Sequence, residues 1–448
     1  MISRNLKGLS YFLAIAVICF SAVSLHNIAR TQSAPPDKAD KKAPAAPAAG
    51  GVITAQNWTN TVGFKPDLTK IPPPGSKVNK SNAKQYSALI PAGLMKMIDK
   101  YNLELNIKQY EPVHPSLGYI EATNKYRGTA KVIDIGNDYR KRGLAGYVAG
   151  LPFPQPKNGL EVAWDFQYAY MGDDGDFYYD VFWISASAGL EHSEYWRWAF
   201  ICRTVNRTDL DPKPAIQEFK DKNVYYTAVT FALEPYDKKG FGAVYSRSVD
   251  PQDQQGHIYI PAMRRVLRNS FGTRGDTWNS TDQLYEDVRG FMGYPEWMNW
   301  KLVGKQTALL PAHAGIKYVK DTKVGIELDK WPHWNPKWQW EPRPVYVLET
   351  TAKMSGYPYS KMIMLVDAEM FVMPYKEAYD KKGQLWKITI PSTNTSPDMN
   401  TKPYNYGGQW TVDIQSEHAT ITLPRKFVSN SNLDPKMFSL TYLRNRGK

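Results

Sequence analysis

The chain has 448 residues, a net charge of +13 and 13% aromatic side chains, with 14 Trp and 29 Tyr. That length allows one large domain or two small ones, and so many aromatics argue against disorder and for a β-rich core or stacking surfaces. The basic residues are scattered, with no basic helix or RNA-binding signature, so no nucleic-acid partner is expected; the positive field suits an anionic membrane surface or serves solubility alone.

Arg4 and Lys7 precede the uncharged apolar run Leu9 to Leu25, and Ala22-Val23-Ser24 fits a small-x-small cleavage site. Residues 1–24 therefore read as a signal peptide, with an uncleaved signal anchor as the alternative. The bulky Ile18 before Cys19 argues against lipidation. With the signal removed, Cys202 is left without a disulfide partner and reads as a small buried hydrophobe within "WAFICRTV". Residues 25–55 read as a Pro/Ala/Lys-rich linker and 56–448 as a single β-rich domain.

"TKIPPPGSKVN" (69–79) is expected as an irregular arm on the surface. The spacing of Leu89, Met95 and Ile98 predicts helix within Ser81 to Tyr101, disturbed in its first half by Pro91 and Gly93. "LPFPQPKNGLE" (151–161) is turn-rich. "LEVAWDFQYAYM" and "FYYDVFWISASAG" flank "GDDGD", which predicts two strands joined by an Asp-Gly hairpin turn. "KWPHWNPKWQWEPRP" (330–344) carries Trp331, Trp334, Trp338 and Trp340 among prolines and reads as a stiff loop, part lid and part core cap. "VYVLETTAK", "KMIMLVDAE", "MFVMPYKEAYD" and "GQLWKITIP" follow as an antiparallel meander. The segment Met362 to Val366 is apolar on both faces and must be covered on both sides.

No catalytic or metal site and no cofactor is predicted. The seven histidines lack metalloprotease spacing. Asp173 to Asp176 lack the acidic ladder of an EF-hand loop. "SASAG" (185–189) lacks the first glycine of an esterase elbow. Acids near tryptophans keep a glycan-binding or glycan-cleaving protein as one alternative. In "YIPAMRRVLRNS", strand alternation would point Arg264 and Arg265 to opposite faces. A buried ion pair is the favoured reading there, and contact to an anionic head group the other.

Four stretches carry a family resemblance: "GYVAGLPFPQPKNGLEVAWDF" (146–166), "YIPAMRRVLRNS" (259–270), "WNSTDQLYEDVRGFMGYPEWMNWKLVGK" (278–305) and "VYVLET…YSKMIMLVDAE…EAYDKKGQLWK" (345–387). Together they resemble the domain of unknown function 1329 family of Gram-negative secreted proteins, often called outer membrane lipoprotein-sorting proteins. The resemblance implies a fold like LolA and LolB: mainly β with α, a strongly curved antiparallel sheet forming an open half-barrel, with helices packed in the concavity. It implies a periplasmic protein, outer-membrane associated or tethered by its signal anchor, that binds or shuttles a lipid or other hydrophobic ligand. An inner-membrane exporter and an outer-membrane protein are the partners implied, and a structural role in such a transporter complex is a further alternative. Candidate ligand-binding residues are Trp183, Trp196, Trp198, Trp331, Trp334, Arg264 and Arg265. The chain departs from the family pattern at Gln339–Pro344 and at Pro311-Ala312-His313, where a cavity mouth is expected.

Overall fold

The computed structural model describes residues 51–448, apart from 253–254, 271–275, 396–403 and 447–448. The expected signal segment and nearly all of the expected linker lie outside the described residues. Ile53 is already buried, and its N–H donates to Asn124 Oδ1 at 2.9 Å.

In chain order the strands are β1 (Lys77–Val78), β2 (Leu105–Ile107), β3 (Lys131–Val132), β4 (Leu144–Ala145), β5 (Asp174–Ser185), β6 (Gly189–Ile201), β7 (Val224–Glu234), β8 (Gly242–Ser248) and β9 (Gln255–Ile260). They continue with β10 (Arg265–Ser270), β11 (Met298–Leu310), β12 (Gln339–Ala352), β13 (Lys361–Asp367), β14 (Tyr375–Tyr379), β15 (Leu385–Thr395), β16 (Tyr404–Asp413) and β17 (His418–Ser429). The helices are α1 (Trp58–Val62), α2 (Ala92–Tyr101), α3 (Leu117–Tyr126), α4 (Gly159–Gln167), α5 (Gln217–Asp221) and α6 (Leu440–Arg446).

One 15-stranded sheet runs β1-β2-β12-β13-β14-β15-β16-β17-β5-β6-β7-β8-β9-β10, with β11 on β12; β3 and β4 form a separate ribbon. The path has two ends, β1 and β10, so the sheet is open. Its pairings are antiparallel except for β2 against β12. Seven ladders contain a register shift, and each such bulge bends and twists its strand. That is how so long an open sheet curves.

The expected meander is present as β12 to β15. Strand alternation builds a core on each face. Along β5, Phe177, Tyr179, Val181 and Trp183 point to a first core, whereas Phe182 and Ile184 point to a second. Along β13, Met362, Met364 and Val366 enter the first and Leu365 the second, so the doubly apolar strand is covered on both sides. Helix α2 supplies Leu94, Met97 and Ile98 to the second core. Tyr119 and Ile120 of α3 and Val162 and Phe166 of α4 belong to the first.

Two sequence expectations are corrected. "LEVAWDFQ" is helix α4, not a strand, so no hairpin turn lies at "GDDGD". Asn158 accepts from Glu161 N at 3.0 Å as an N-cap, and Val162 and Phe166, one turn apart, anchor the helix face. The Asp cluster ties down loops instead: the Asp173 carboxylate accepts from the backbone N–H groups of Thr208, Asp209 and Leu210, and Asp174 from those of Ser431 and Leu433.

The second correction is that the stiff loop ends at Trp338, because Gln339–Ala352 is strand. Pro342 and Pro344 face Leu309 and Thr307 of β11, while β13 joins β12 only from Val345 onward. Two positions apart, their missing N–H groups fall on the same side of the strand, where the ladder has not begun.

Candidate ligand-binding cavity

Residues 276–297, between β10 and β11, form a strap across the first face. Side chains on both halves of the sheet hold it. Trp183 Nε1 donates to Ser280 O at 3.1 Å, and Asn279 Nδ2 to Glu194 Oε2 at 2.7 Å. From the other half, His418 Nδ1 lies 2.7 Å from Asp282 Oδ2, and Thr420 Oγ1 donates to the same oxygen at 2.7 Å. Gln409 Nε2 donates to Asp287 O at 3.0 Å. Lys376 pairs with Asp287 in a fully buried ion pair, to which Tyr359 OH donates at 2.7 Å. At the far end of the strap, Tyr294 OH donates to Ser248 O at 2.8 Å.

Between strap and sheet lies a cavity of about 200 Å³. Its sheet wall includes Phe177, Tyr179, Trp196, Trp198, Ala243 and Tyr245, and its strap wall includes Trp278, Tyr285, Met292, Tyr294 and Trp297. The polar groups on it are few: Arg247, Glu286, Asn279, Gln252, Gln283 and two threonines. A concave, mostly aromatic wall with a few polar groups is the usual form of a small-molecule site. The volume exceeds the roughly 150 Å³ cavity that holds one benzene, which suits a single ring or one chain segment.

Electrostatics stiffen the wall. Glu194 is buried and holds Trp196 Nε1 at 2.8 Å, His192 Nε2 at 2.9 Å and the Lys238 ammonium. Burial alone would raise the Glu194 carboxyl, but Lys238, with His192 and Trp196, outweighs it and holds it below its ordinary value. Burial pushes the Tyr245 hydroxyl up to about 12, against Tyr226 and Trp198 acting the other way, so it stays neutral. For His418, burial pulls downward, but Asp282 and then Glu191 prevail and raise its pKa.

The candidate tryptophans divide. Trp196 and Trp198 line the cavity. Trp183 shares their core and braces the strap without lining the cavity. Trp334 is fully buried in the second core, on the opposite face, with Trp338 and Trp340. Trp331 is 43% exposed, its ring 5.6 Å from that of Tyr101. Neither Trp331 nor Trp334 rims the cavity.

Arg264 and Arg265 are also apart from it, and the buried ion pair expected of them is not there. Arg264 is the left-handed residue (φ 52°) closing the turn between β9 and β10, and both side chains are exposed. The turn breaks the strand alternation on which that expectation rested. Strand β10 is a sheet edge, where exposed charge discourages pairing with another chain.

The two departures from the family pattern meet in the structure, but not at a mouth. His313 Nδ1 lies 2.7 Å from Glu341 Oε1, and Arg343 binds Glu341, Asp367 and Glu369, all nearly inaccessible to solvent. Cys202 is set against the first core with its Sγ donating to Gly172 O at 3.1 Å, and burial pushes the thiol up to about 12. Among the described residues no three metal-ligating side chains converge, and no helix is long and apolar enough to cross a membrane.

The family profile for DUF1329, a protein family of unknown function, matches residues 77–444. The chain belongs to the DUF1329 family. An uncharacterized Pseudomonas aeruginosa protein, PA3922, is 24% identical over 358 residues, covering 76% of this chain and 73% of its own. Among solved structures, a Vibrio parahaemolyticus domain provisionally assigned to outer membrane lipoprotein sorting aligns with 64% of this chain and 98% of its own, at 15% identity and a TM-score of 0.45. A LolA superfamily protein from Nitrosomonas europaea aligns with 64% of this chain and 100% of its own, at 13% identity and a TM-score of 0.37. All but the first two residues of the strap fall within the third stretch that carried the family resemblance. The sequence marks this segment as a cavity wall only through the density of rings in "YEDVRGFMGYPEW" (285–297).

Proposed function

We propose that this DUF1329 member carries a hydrophobic ligand in the bacterial envelope, held between the strap and the first face of the sheet. The cavity beneath the strap carries this reading: it is lined by aromatic rings from both walls and pinned by hydrogen bonds from both halves of the sheet. A periplasmic location, with the body tethered by or released from its N-terminal segment, fits such a carrier. An exporter in the inner membrane and a protein of the outer membrane are the partners proposed for loading and delivery. Among the described lining residues Glu286 is the one acid, which does not favour paired-carboxylate cleavage of glycans.

The test is to purify the protein from its native envelope, extract it with organic solvent and analyse the extract by mass spectrometry. A stoichiometric hydrophobic compound is expected. Empty protein that also fails to bind fluorescent fatty acids would sink the carrier reading.

A further inference from the structure

Two arginines, Arg247 of β8 and Arg289 of the strap, form no ion pair among the described residues. Arg247 is only 4% exposed and lines the cavity. Among the described residues it forms no ion pair; its guanidinium sits over the rings of Tyr294, at 4.6 Å, and Tyr225, at 5.6 Å. The Tyr294 hydroxyl also hydrogen-bonds the guanidinium, but ring faces and a neutral hydroxyl supply no negative charge to a group with five N–H donors. Glu286 is the acid that acts on it electrostatically, and that carboxylate already accepts from Tyr357 OH at 2.8 Å.

Arg289 stands on the strap at φ 59°, a left-handed conformation uncommon for a residue with a side chain. It lines two small cavities of about 20 and 10 Å³. The second shares Phe177, Trp198 and Tyr406 with the main cavity, so those rings form a wall common to both spaces. Cys202, Tyr226, Tyr225 and Tyr406 are the groups that act most on Arg289 after burial, which lowers its pKa. Trp198 Nε1, buried beside both spaces, makes no well-aligned hydrogen bond among the described residues, and the Tyr245 hydroxyl is the polar group that it acts on. The buried side-chain atoms left without a well-aligned hydrogen bond around these spaces are the donors Trp198 Nε1 and Gln283 Nε2, the Tyr226 hydroxyl, and one acceptor, Glu286 Oε1. A buried guanidinium without a paired anion, as at Arg247, is costly, and an anionic group arriving in the cavity would relieve that cost.

We infer that the ligand is an anionic amphiphile with one chain or one ring, whose acidic head is read by Arg247 and Arg289 while its apolar part lies among the tryptophans. The inference rests on the carrier reading and narrows it. Arg247 is the one cation among the described residues lining the main cavity, which matches one carboxylate or phosphate monoester, and a volume of about 200 Å³ leaves no room for a multi-chain lipid.

The test measures displacement of the neutral probe N-phenyl-1-naphthylamine, below micellar concentrations, by decanol, decanoate and decyl phosphate. Wild-type protein, Arg247→Gln and Arg289→Gln are compared. Decanoate or decyl phosphate should displace the probe at about 10- to 100-fold lower concentration than decanol, the worth of a charge-assisted hydrogen bond. That gap should collapse in at least one variant while decanol binding stays the same. Whichever acid shows the larger gap names the head group. The variants should melt at or above the wild-type temperature, because a desolvated cation is removed; an arginine with a purely structural role would lower it. Equal displacement by acid and alcohol, or a gap that survives both substitutions, overturns the inference. Failure to bind the probe at all overturns the carrier reading instead.

Discussion

The indole Nε1 of Trp196 donates to Glu194 Oε2 at 2.8 Å, and that oxygen also accepts from Asn279 of the strap at 2.7 Å. One carboxylate thus sets the rotamer of a cavity wall and fastens the roof above it. Glu194→Gln keeps one acceptor oxygen but loses the charge opposing Lys238. The loss should be about 1–3 kcal/mol by urea denaturation. Tryptophan emission should shift to the red as the strap loosens. A wild-type melting curve and emission spectrum would show that the carboxylate has no such role.

The pH dependence of that contact follows from its direction. Glu194 has a lowered pKa in the folded protein, so its contribution is present above its ordinary carboxylate value and is lost as pH falls through the lower, folded value. His418 has the opposite sign. Its pKa is raised, so its contribution is complete below about 6.5 and is lost as pH rises through the folded value. Stability measured upward from pH 6 should therefore fall, and His418→Gln should flatten that slope. An unchanged slope in the variant would contradict the link between His418 and Asp282.

Lys376 and Asp287 are each about 1% exposed at the side chain. Lys376→Met leaves a buried carboxylate without its cation and should cost about 3–5 kcal/mol. Lys376→Met with Asp287→Leu should recover part of that loss, because the unpaired charge goes too. Additive losses in the double variant would show that the two groups do not act as a pair.

Trp334, Trp338 and Trp340 fill the second core, so each change to Ala should cost about 3–5 kcal/mol. Trp331→Ala should cost under about 1 kcal/mol, as a partly exposed ring does. None of the four should change probe affinity in protein that remains folded. Altered uptake in Trp331→Ala would place a ligand site on the opposite face.

The parts of the fold legible in the sequence were those that local pattern decides. Met362 to Val366 could only be a strand covered twice, and the short turns beside it set an antiparallel meander. Local pattern failed where two periods compete over a short run. "LEVAWDFQ" is rich in β-prone rings, yet the Asn158 cap and the Val162–Phe166 spacing make it a helix. The prolines of β12 argued against strand because the gap in its ladder depends on where β13 begins, which is a tertiary fact. Likewise, Trp196 and Trp334 are equivalent by composition. Trp196 enters the first core from β6, whereas Trp334, in the loop before β12, enters the second beside Tyr101 of α2, and which core each meets is a tertiary fact.

The most direct measurement is the dissociation constant of N-phenyl-1-naphthylamine for a protein whose cavity has been filled. Ala243, on the sheet wall, is buried and borders the space; Ala243→Trp would occupy much of it, with the exposed Val303→Trp as control. A ligand bound beneath the strap requires at least about a tenfold loss of affinity, roughly 1.4 kcal/mol, in the first variant and none in the second. Full affinity in folded Ala243→Trp protein would contradict the cavity as the binding site.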